Sequence, residues 1–463
     1  MEKSTQAQPS IVAPIAAPIA SIADFIADPV VAATFPEHRL RWRGDRAADS
    51  ITLGALSDPQ WIEHFGRFAP LPANLPHPLA LRYHGHQFGH YNPDLGDGRG
   101  FLFAQLRSDD GRWLDLGTKG SGQTPYSRGG DGRLTLKGAV RELLATEMLE
   151  ALGVPTSRTL SIIETGEALH RGDEPSPTRS AVLVRLSHSH IRVGSFQRLA
   201  ALGQNAQMER LLRYVLATLF DVPDADVLPL VDAAAMLVRL AATRCAETVA
   251  AQMVAGFVHG VLNSDNINVT GESFDYGPWR FTPTWDPAYT AAYFDHHALY
   301  AFGRQPQVVH WTMAQLANSL GHIVPAAPLS DALEAFGPAY ETAIAAQFCW
   351  RLGVAQGTAE QDRALVIASE QHMRGRGTPI DHFFLSGAKD SGDAALAEPL
   401  SGRAQTRERW WNDTTPQSMH IEEVEALWAA IANHDDWAPL MDKLAAVRAM
   451  GRALGTSPIA LTR

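Results

Sequence analysis

The stretch His259-Gly-Val-Leu-Asn-Ser-Asp-Asn266, continued by Ile267-Asn-Val-Thr-Gly-Glu-Ser-Phe274 and Asp275-Tyr-Gly277, decides the fold. A long apolar run, Val231 to Val258, leads into it as a helix. Its middle reads as two short strands, Ile267 to Thr270 and Glu272 to Phe274, joined at Gly271. Loop, hairpin and loop together bring Asp265, Asn266 and Asp275 to one end of the hairpin, and such oxygen donors suit a hard divalent ion. The stretch therefore reads as a site for a metal ion and phosphate.

The order of parts matches a protein-kinase catalytic core, in which a His-Arg-Asp-x-x-x-x-Asn loop precedes Asp-Phe-Gly. His259 falls on the His, Asn266 on the metal-binding Asn, and Asp275-Tyr276-Gly277 on Asp-Phe-Gly. Where a kinase carries the Asp that accepts the substrate hydroxyl's proton, this chain has Val261, which accepts nothing. The loop's carboxylate is Asp265, beside the Asn. The expectation is a kinase-like scaffold with different chemistry.

Upstream, glycines crowd Tyr83 to His90 and Leu95-Gly96-Asp97-Gly98-Arg99-Gly100, which frees a backbone to approach a ligand and turn its amides inward. Two apolar runs flanking Asp109-Asp110-Gly111 predict a β-hairpin over Phe101 to Lys119, so that Lys119 ends a strand as a kinase's phosphate-binding Lys does. Gly120 to Arg133 alternates glycine with Arg128, Asp131 and Arg133, a pattern suited to polyphosphate. The spacing predicts a helix from Thr135 to Leu152, stopped by Gly153, with Val140, Leu144, Met148 and Ala151 on its apolar face. Glu142 lies away from that stripe and Glu147 near it, and periodicity does not choose which pairs with Lys119. Strands follow at Leu160 to Glu164 and Ala181 to Leu186, then Arg185 and Arg192, bidentate donors fit to clamp phosphate.

The whole reads as an α+β protein with a kinase-like bilobal fold. An N-terminal arm (1–40), loosely docked because prolines interrupt its apolar runs, precedes a β-rich N-lobe (41–186). A larger, mainly helical C-lobe (187–463) closes with helices from about 420. Among 463 residues, 45% are hydrophobic, enough for two lobes around a cleft, and the net charge of −11 argues against nucleic acid as the main partner. Cys245 and Cys349 make no disulfide framework, and no apolar stretch is long enough to span a membrane; a cytoplasmic monomer is expected.

These motifs in this order, from Gly-Asp-Gly-Arg-Gly through Lys119 and the Gly120–Arg133 loop to the Asp-Asn loop and Asp-Tyr-Gly-Pro, resemble the selenoprotein O family over roughly Tyr83 to Pro306. Its members look like pseudokinases and act as protein adenylyltransferases. The resemblance implies ATP bound in the reverse sense to a kinase, with the α-phosphate facing the acceptor, which accounts for Val261. It places nucleotide contacts on Gly96, Gly98, Arg99, Lys119, Asp131, Gly132, Arg185, Arg192 and Asp275. The proton acceptor falls on Asp265, the metal ligands on Asn266 and Asp275, and the lysine's partner on Glu142. Two departures stand out: the chain has no Asn-Pro-Lys segment, and it ends Gly-Thr-Ser-Pro-Ile-Ala-Leu-Thr-Arg without the family's terminal cysteine or selenocysteine, so redox control through such a thiol is not expected.

The expected reaction is AMP transfer from ATP to protein Ser, Thr or Tyr hydroxyls with Mg²⁺ or Mn²⁺. The alternatives are an ordinary protein kinase, an ATP-binding pseudokinase scaffold, and a metal hydrolase built on His84, His86, His90, His296 and His297. Histidines in glycine-rich loops more often serve as hydrogen-bonding structural residues.

Overall fold

Alternation of side chains about a strand's plane explains most of the sheet. In the computed structural model, which describes residues 17–172, 174–388, 392–406 and 416–459, the strands in chain order are β1 (Ala27–Pro29), β2 (Arg39–Arg43), β3 (Leu79–Leu81), β4 (Gly85–Gln87), β5 (His90–Asn92) and β6 (Leu102–Arg107). Next come β7 (Trp113–Lys119), β8 (Leu134–Thr135), β9 (Arg158–Leu169), β10 (Thr178–Ser187), β11 (Phe257–Val258) and β12 (Arg280–Phe281). The chain divides into two compact units, one of residues up to Arg82 with Asp94–Ala139 and Arg158–His190, the other of Tyr83–Pro93, Val140–Ser157 and the chain from Ile191 on.

The first unit is built on an antiparallel sheet in the order β1-β3-β6-β7-β10-β9-β2, with β8 added on β10. The expected hairpin forms: Gly111, at φ +83°, donates its amide to Ser108 over 2.8 Å and closes the β6–β7 turn. One sheet face carries Leu114 and Leu116 of β7 and Val182, Val184 and Leu186 of β10, which pack with Phe65, Phe101, Phe103 and Trp61 into one core. The opposite face carries Asp115, Gly117 and Lys119, with Ser187, Arg185 and Leu183 across the ladder. The segment expected to be a loose arm is built into this unit from Ala17 on. Ile19, Ile22, Phe25 and Ile26 are buried and β1 pairs with β3, because the prolines punctuate the apolar runs without removing enough of their area to leave them in water. Residues 1–16 lie outside the described residues.

The second unit is mainly helical, and Leu230–Val254 is its longest described helix, with Phe336–Leu352 packed along it. Val140–Ala151, the greater part of the Leu136–Ala151 helix, belongs here. That helix has the expected limits, yet it is buried nearly all round, so both Glu142 and Glu147 are buried although only one lies near the apolar stripe. No described helix is long and apolar enough to cross a membrane.

Candidate active site

β11 and β12 pair antiparallel, Phe257 with Phe281 and Val258 with Arg280, so the deciding stretch is a loop closed at its base by a short ladder. Within it the expected hairpin does not form. Asn268 makes its bridge to Arg192 and Ser273 to Thr156, while Gly271 at φ +80° turns its amide back to Asn268. Each half finds a partner elsewhere in the unit, and the motif order survives because neighbouring segments hold it rather than a local turn.

Asn263 starts a short 3-10 turn, Ser264–Asn266, and accepts the Asn266 amide over 2.9 Å. Its side-chain Oδ1 accepts the Tyr300 hydroxyl at 2.6 Å. Ser264 donates to Gln197 at 2.6 Å and accepts the His86 amide at 2.7 Å. These bonds fasten the β4–β5 hairpin over the loop and bring Gln87 Nε2 to 3.4 Å from Asp265 Oδ2. Gly85 belongs to this arrangement, since a Cβ there would fall 2.8 Å from Asp265 Oδ1.

Asp265 is 6% exposed, and its Oδ1 has no hydrogen-bond partner. Burial pushes its carboxyl up to about 6; the nearby Asp275 charge adds to the rise, and Arg192 opposes it. An acid with that value is ionised at neutral pH and able to take a proton, as a general base requires. Arg192 ties the carboxylates together: Nη1 donates to the Asp265 carbonyl at 2.8 Å and makes a short ion pair with Asp275 Oδ2. Its guanidinium lies between the rings of Tyr83 (4.4 Å) and Phe274 (4.6 Å). Asp275 holds a left-handed backbone, φ +62°, an unusual conformation that the surrounding contacts must enforce. Asn266 donates through Nδ2 to the Val261 carbonyl at 2.9 Å, which leaves its Oδ1 as an acceptor.

Asn266 and Asp275 supply hard oxygens of the kind Mg²⁺ or Mn²⁺ takes, and the unsatisfied Asp265 Oδ1 marks a buried, electron-rich spot beside them. Two protein ligands are enough where substrate phosphates complete the shell, so the donor set fits such an ion. Among the described residues no group of three or more His, Cys, Asp or Glu is gathered to hold a metal. His84 Nδ1 instead meets the Tyr91 hydroxyl at 2.7 Å, and His86 Nδ1 meets Gln197 Nε2 at 2.8 Å.

In the first unit, Arg99 is exposed, and its carbonyl accepts the Gly120 amide at 2.7 Å, which sets it beside the end of β7 and the buried Lys119. Gly96, Gly98 and Gly100 are required by packing: a Cβ would meet the Tyr126 ring at 2.3 Å, the Tyr126 carbonyl at 2.8 Å and the Thr118 carbonyl at 1.9 Å respectively. Gly132, at φ +69°, closes the Gly120–Arg133 loop against Gly122. Asp131 accepts the Arg133 amide at 2.9 Å and pairs with Arg171 at 2.9 Å, contacts that hold its carboxyl below the usual range against the opposing effect of burial. Arg185 is 3% exposed and donates through Nε to His190 Nε2 at 2.9 Å. In the second unit Glu147 makes a bidentate pair with Arg448 at 2.7 Å, whereas Glu142 is 2% exposed. Sequence reasoning missed Gln87, Gly85, Gln197 and the Asp115–His190 contact, whose partners are far apart in the chain; the glycine-rich run Tyr83–His90 was the available signal for the first two.

The second unit thus holds two acidic residues, Asp265 and Asp275, tied to one arginine, and the relatives say what class of protein carries them. The chain is 43% identical to the "Protein nucleotidyltransferase YdiU" of Gloeobacter violaceus over 93% of its length and 94% of that protein's. It is 51% identical to the protein of the same description from Synechocystis sp. over 71% and 68%, and 38% identical to that of Pseudomonas paraeruginosa over 69% and 64%. The chain is a nucleotidyltransferase. Residues 13–399 match the family model "Protein adenylyltransferase SelO", and the chain belongs to that family.

Proposed function

We propose that this protein transfers AMP from ATP to Ser, Thr or Tyr hydroxyls of other proteins and releases pyrophosphate. The observation that carries the reading is Asp265, a buried carboxylate with its carboxyl raised to about 6, held next to Asp275 in a loop whose kinase base position is Val261. The acceptor's oxygen attacks the α-phosphorus, the bond from that phosphorus to the α–β bridging oxygen breaks, pyrophosphate leaves, and the hydroxyl's proton passes to Asp265. For this the α-phosphate must face the acceptor, the reverse of the sense in which a kinase binds ATP.

The kinase-like assignment gives the remaining residues their parts, with an N-lobe of 41–186 and a C-lobe of 187–463. Lys119, positioned by Glu142, and Arg99 and Arg185 hold phosphate charge, with the backbone of Gly96, Gly98, Asp131 and Gly132 shaping the loops around it. Arg192 fixes the Asp265 backbone and the Asp275 carboxylate in one arrangement. Asn266 and Asp275 would hold Mg²⁺ or Mn²⁺, which would supply positive charge against the phosphates. The protein is expected to act as a monomer in the cytoplasm. Incubation with ATP, metal and a lysate, followed by mass spectrometry of the proteins and a pyrophosphate assay, tests the reading. AMP on hydroxyl side chains with matching pyrophosphate supports it; phosphate on those side chains with ADP released refutes it.

A further inference from the structure

One buried polar chain in the first unit ends on Arg185, and its other members have no part in the chemistry above. Asp115, 1% exposed, accepts Gln105 Nε2 at 2.8 Å on Oδ1 and the His190 backbone amide at 2.8 Å on Oδ2. Gln105 is itself held, its Oε1 accepting the Ile19 amide at 2.8 Å. His190, 3% exposed, sets Nδ1 3.3 Å from Asp115 Oδ2 and accepts Arg185 Nε–H on Nε2. Since Arg185 Nε only donates, Nε2 carries no proton, and the imidazole is the neutral tautomer with its proton facing Asp115.

Room for that ring is made by one residue. Gly117 lies between Asp115 and Lys119 on the polar face of β7 and opposite Arg185 in the ladder, and a Cβ on it would fall 2.2 Å from His190 Nε2. The imidazole thus rests on bare backbone, two strand positions from Lys119. A bond to Nε restrains the planar guanidinium's rotation about its stem and so the plane of its terminal N–H groups. Made by a neutral ring, it leaves the guanidinium's charge whole.

We infer that Asp115 and His190 are a positioning pair that sets the Arg185 guanidinium plane for the nucleotide's phosphates, with Gly117 providing the seat. The inference rests on the proposed role of Arg185 as a phosphate ligand. The pair touches no substrate and acts through the arginine.

The test is ATP affinity and the separation of KM for ATP from kcat in Arg185→Ala, His190→Ala, His190→Gln and the Arg185→Ala/His190→Ala double variant, with folding checked by circular dichroism and thermal melts. Arg185→Ala and His190→Ala should each weaken ATP binding roughly tenfold, and the double variant should bind no more weakly than Arg185→Ala alone. His190→Gln, whose Oε1 can take Nε2's place as acceptor, should return affinity to within about twofold of the parent. The pair's role is overturned if His190→Ala leaves affinity unchanged while Arg185→Ala lowers it, if the two losses multiply in the double variant, or if Gln rescues nothing. An Arg185→Ala variant that binds ATP normally would instead remove the phosphate role of the arginine, and this inference with it. Should His190→Ala fail to fold, Gly117→Ala replaces it: displacing the ring must weaken ATP binding when Arg185 is present and have no added effect in Arg185→Ala.

Discussion

Replacing Asp265 with Asn should stabilise the metal-free protein at neutral and alkaline pH while removing transfer. The carboxylate is buried, one oxygen is without a partner, and its carboxyl sits at about 6 against an ordinary 3.8. Between those values the folded state holds a proton that the unfolded chain has released, so this group's contribution to stability falls as pH rises from about 4 to about 6 and stays low above. At ~1.4 kcal/mol per pH unit, the gap amounts to about 3 kcal/mol as an upper bound. Asparagine carries no charge to bury, but its amide needs partners too, so a gain of about 1–3 kcal/mol is expected. Urea unfolding of parent and Asp265→Asn in chelator at pH 8, 7, 5 and 4 reads this directly. The variant should lead at pH 8 and the lead should vanish by pH 4. A variant that is equal or weaker at pH 8, or a difference that does not change with pH, would show that Asp265 is not an ionised carboxylate held against burial.

Four further outcomes follow from the same geometry. Asp275→Ala should abolish transfer and also destabilise the fold by about 3–5 kcal/mol, because it leaves the Arg192 guanidinium, 3% exposed, without its carboxylate; denaturant midpoints and label incorporation read the two effects separately. Gly85→Ala should lower transfer at least tenfold, since its Cβ would press on Asp265 at 2.8–2.9 Å, and normal activity would contradict the β4–β5 placement. Glu147→Gln should cost stability by breaking the pair with Arg448 and leave ATP affinity alone, whereas Glu142→Gln should weaken ATP binding; the reverse pattern would reassign the lysine's partner. Chelation of divalent metal should stop transfer, and Mg²⁺ or Mn²⁺ should restore it in the parent but not in Asp275→Ala, as a transfer assay with metal titration would report.

Local signals made much of the first unit readable in the sequence. The Asp-Gly turn fixed the β6–β7 hairpin, and the helix before Gly153 followed from its periodicity and stop signal. Where contacts are made over long separations, local signals fail. The Leu136–Ala151 helix is enclosed nearly all round, so a single apolar stripe says little about which glutamate is buried. The Ile267–Phe274 segment looked like a hairpin from composition, yet Asn268 and Ser273 bridge to Arg192 and Thr156. The glycines at 96 and 100 suggested ligand approach, and their packing adds a second reason for them, space for Tyr126 and β7, while Gly117, which attracted no notice, seats His190. At the candidate site the sequence named Asp265, Asn266 and Asp275, because spacing within one loop is local, but Gln87 and the Ser264–Gln197 bond that hold the loop come from elsewhere in the chain.

Label transfer from ATP carrying ³²P at either the α or the γ position tests the central claim most directly. With Mg²⁺ or Mn²⁺ and a cell lysate, α-labelled ATP should mark proteins, γ-labelled ATP should leave them unmarked, and Asp265→Asn and Asp275→Ala should abolish the α signal. Protein label from γ-labelled ATP alone would contradict the account and make the reaction phosphorylation.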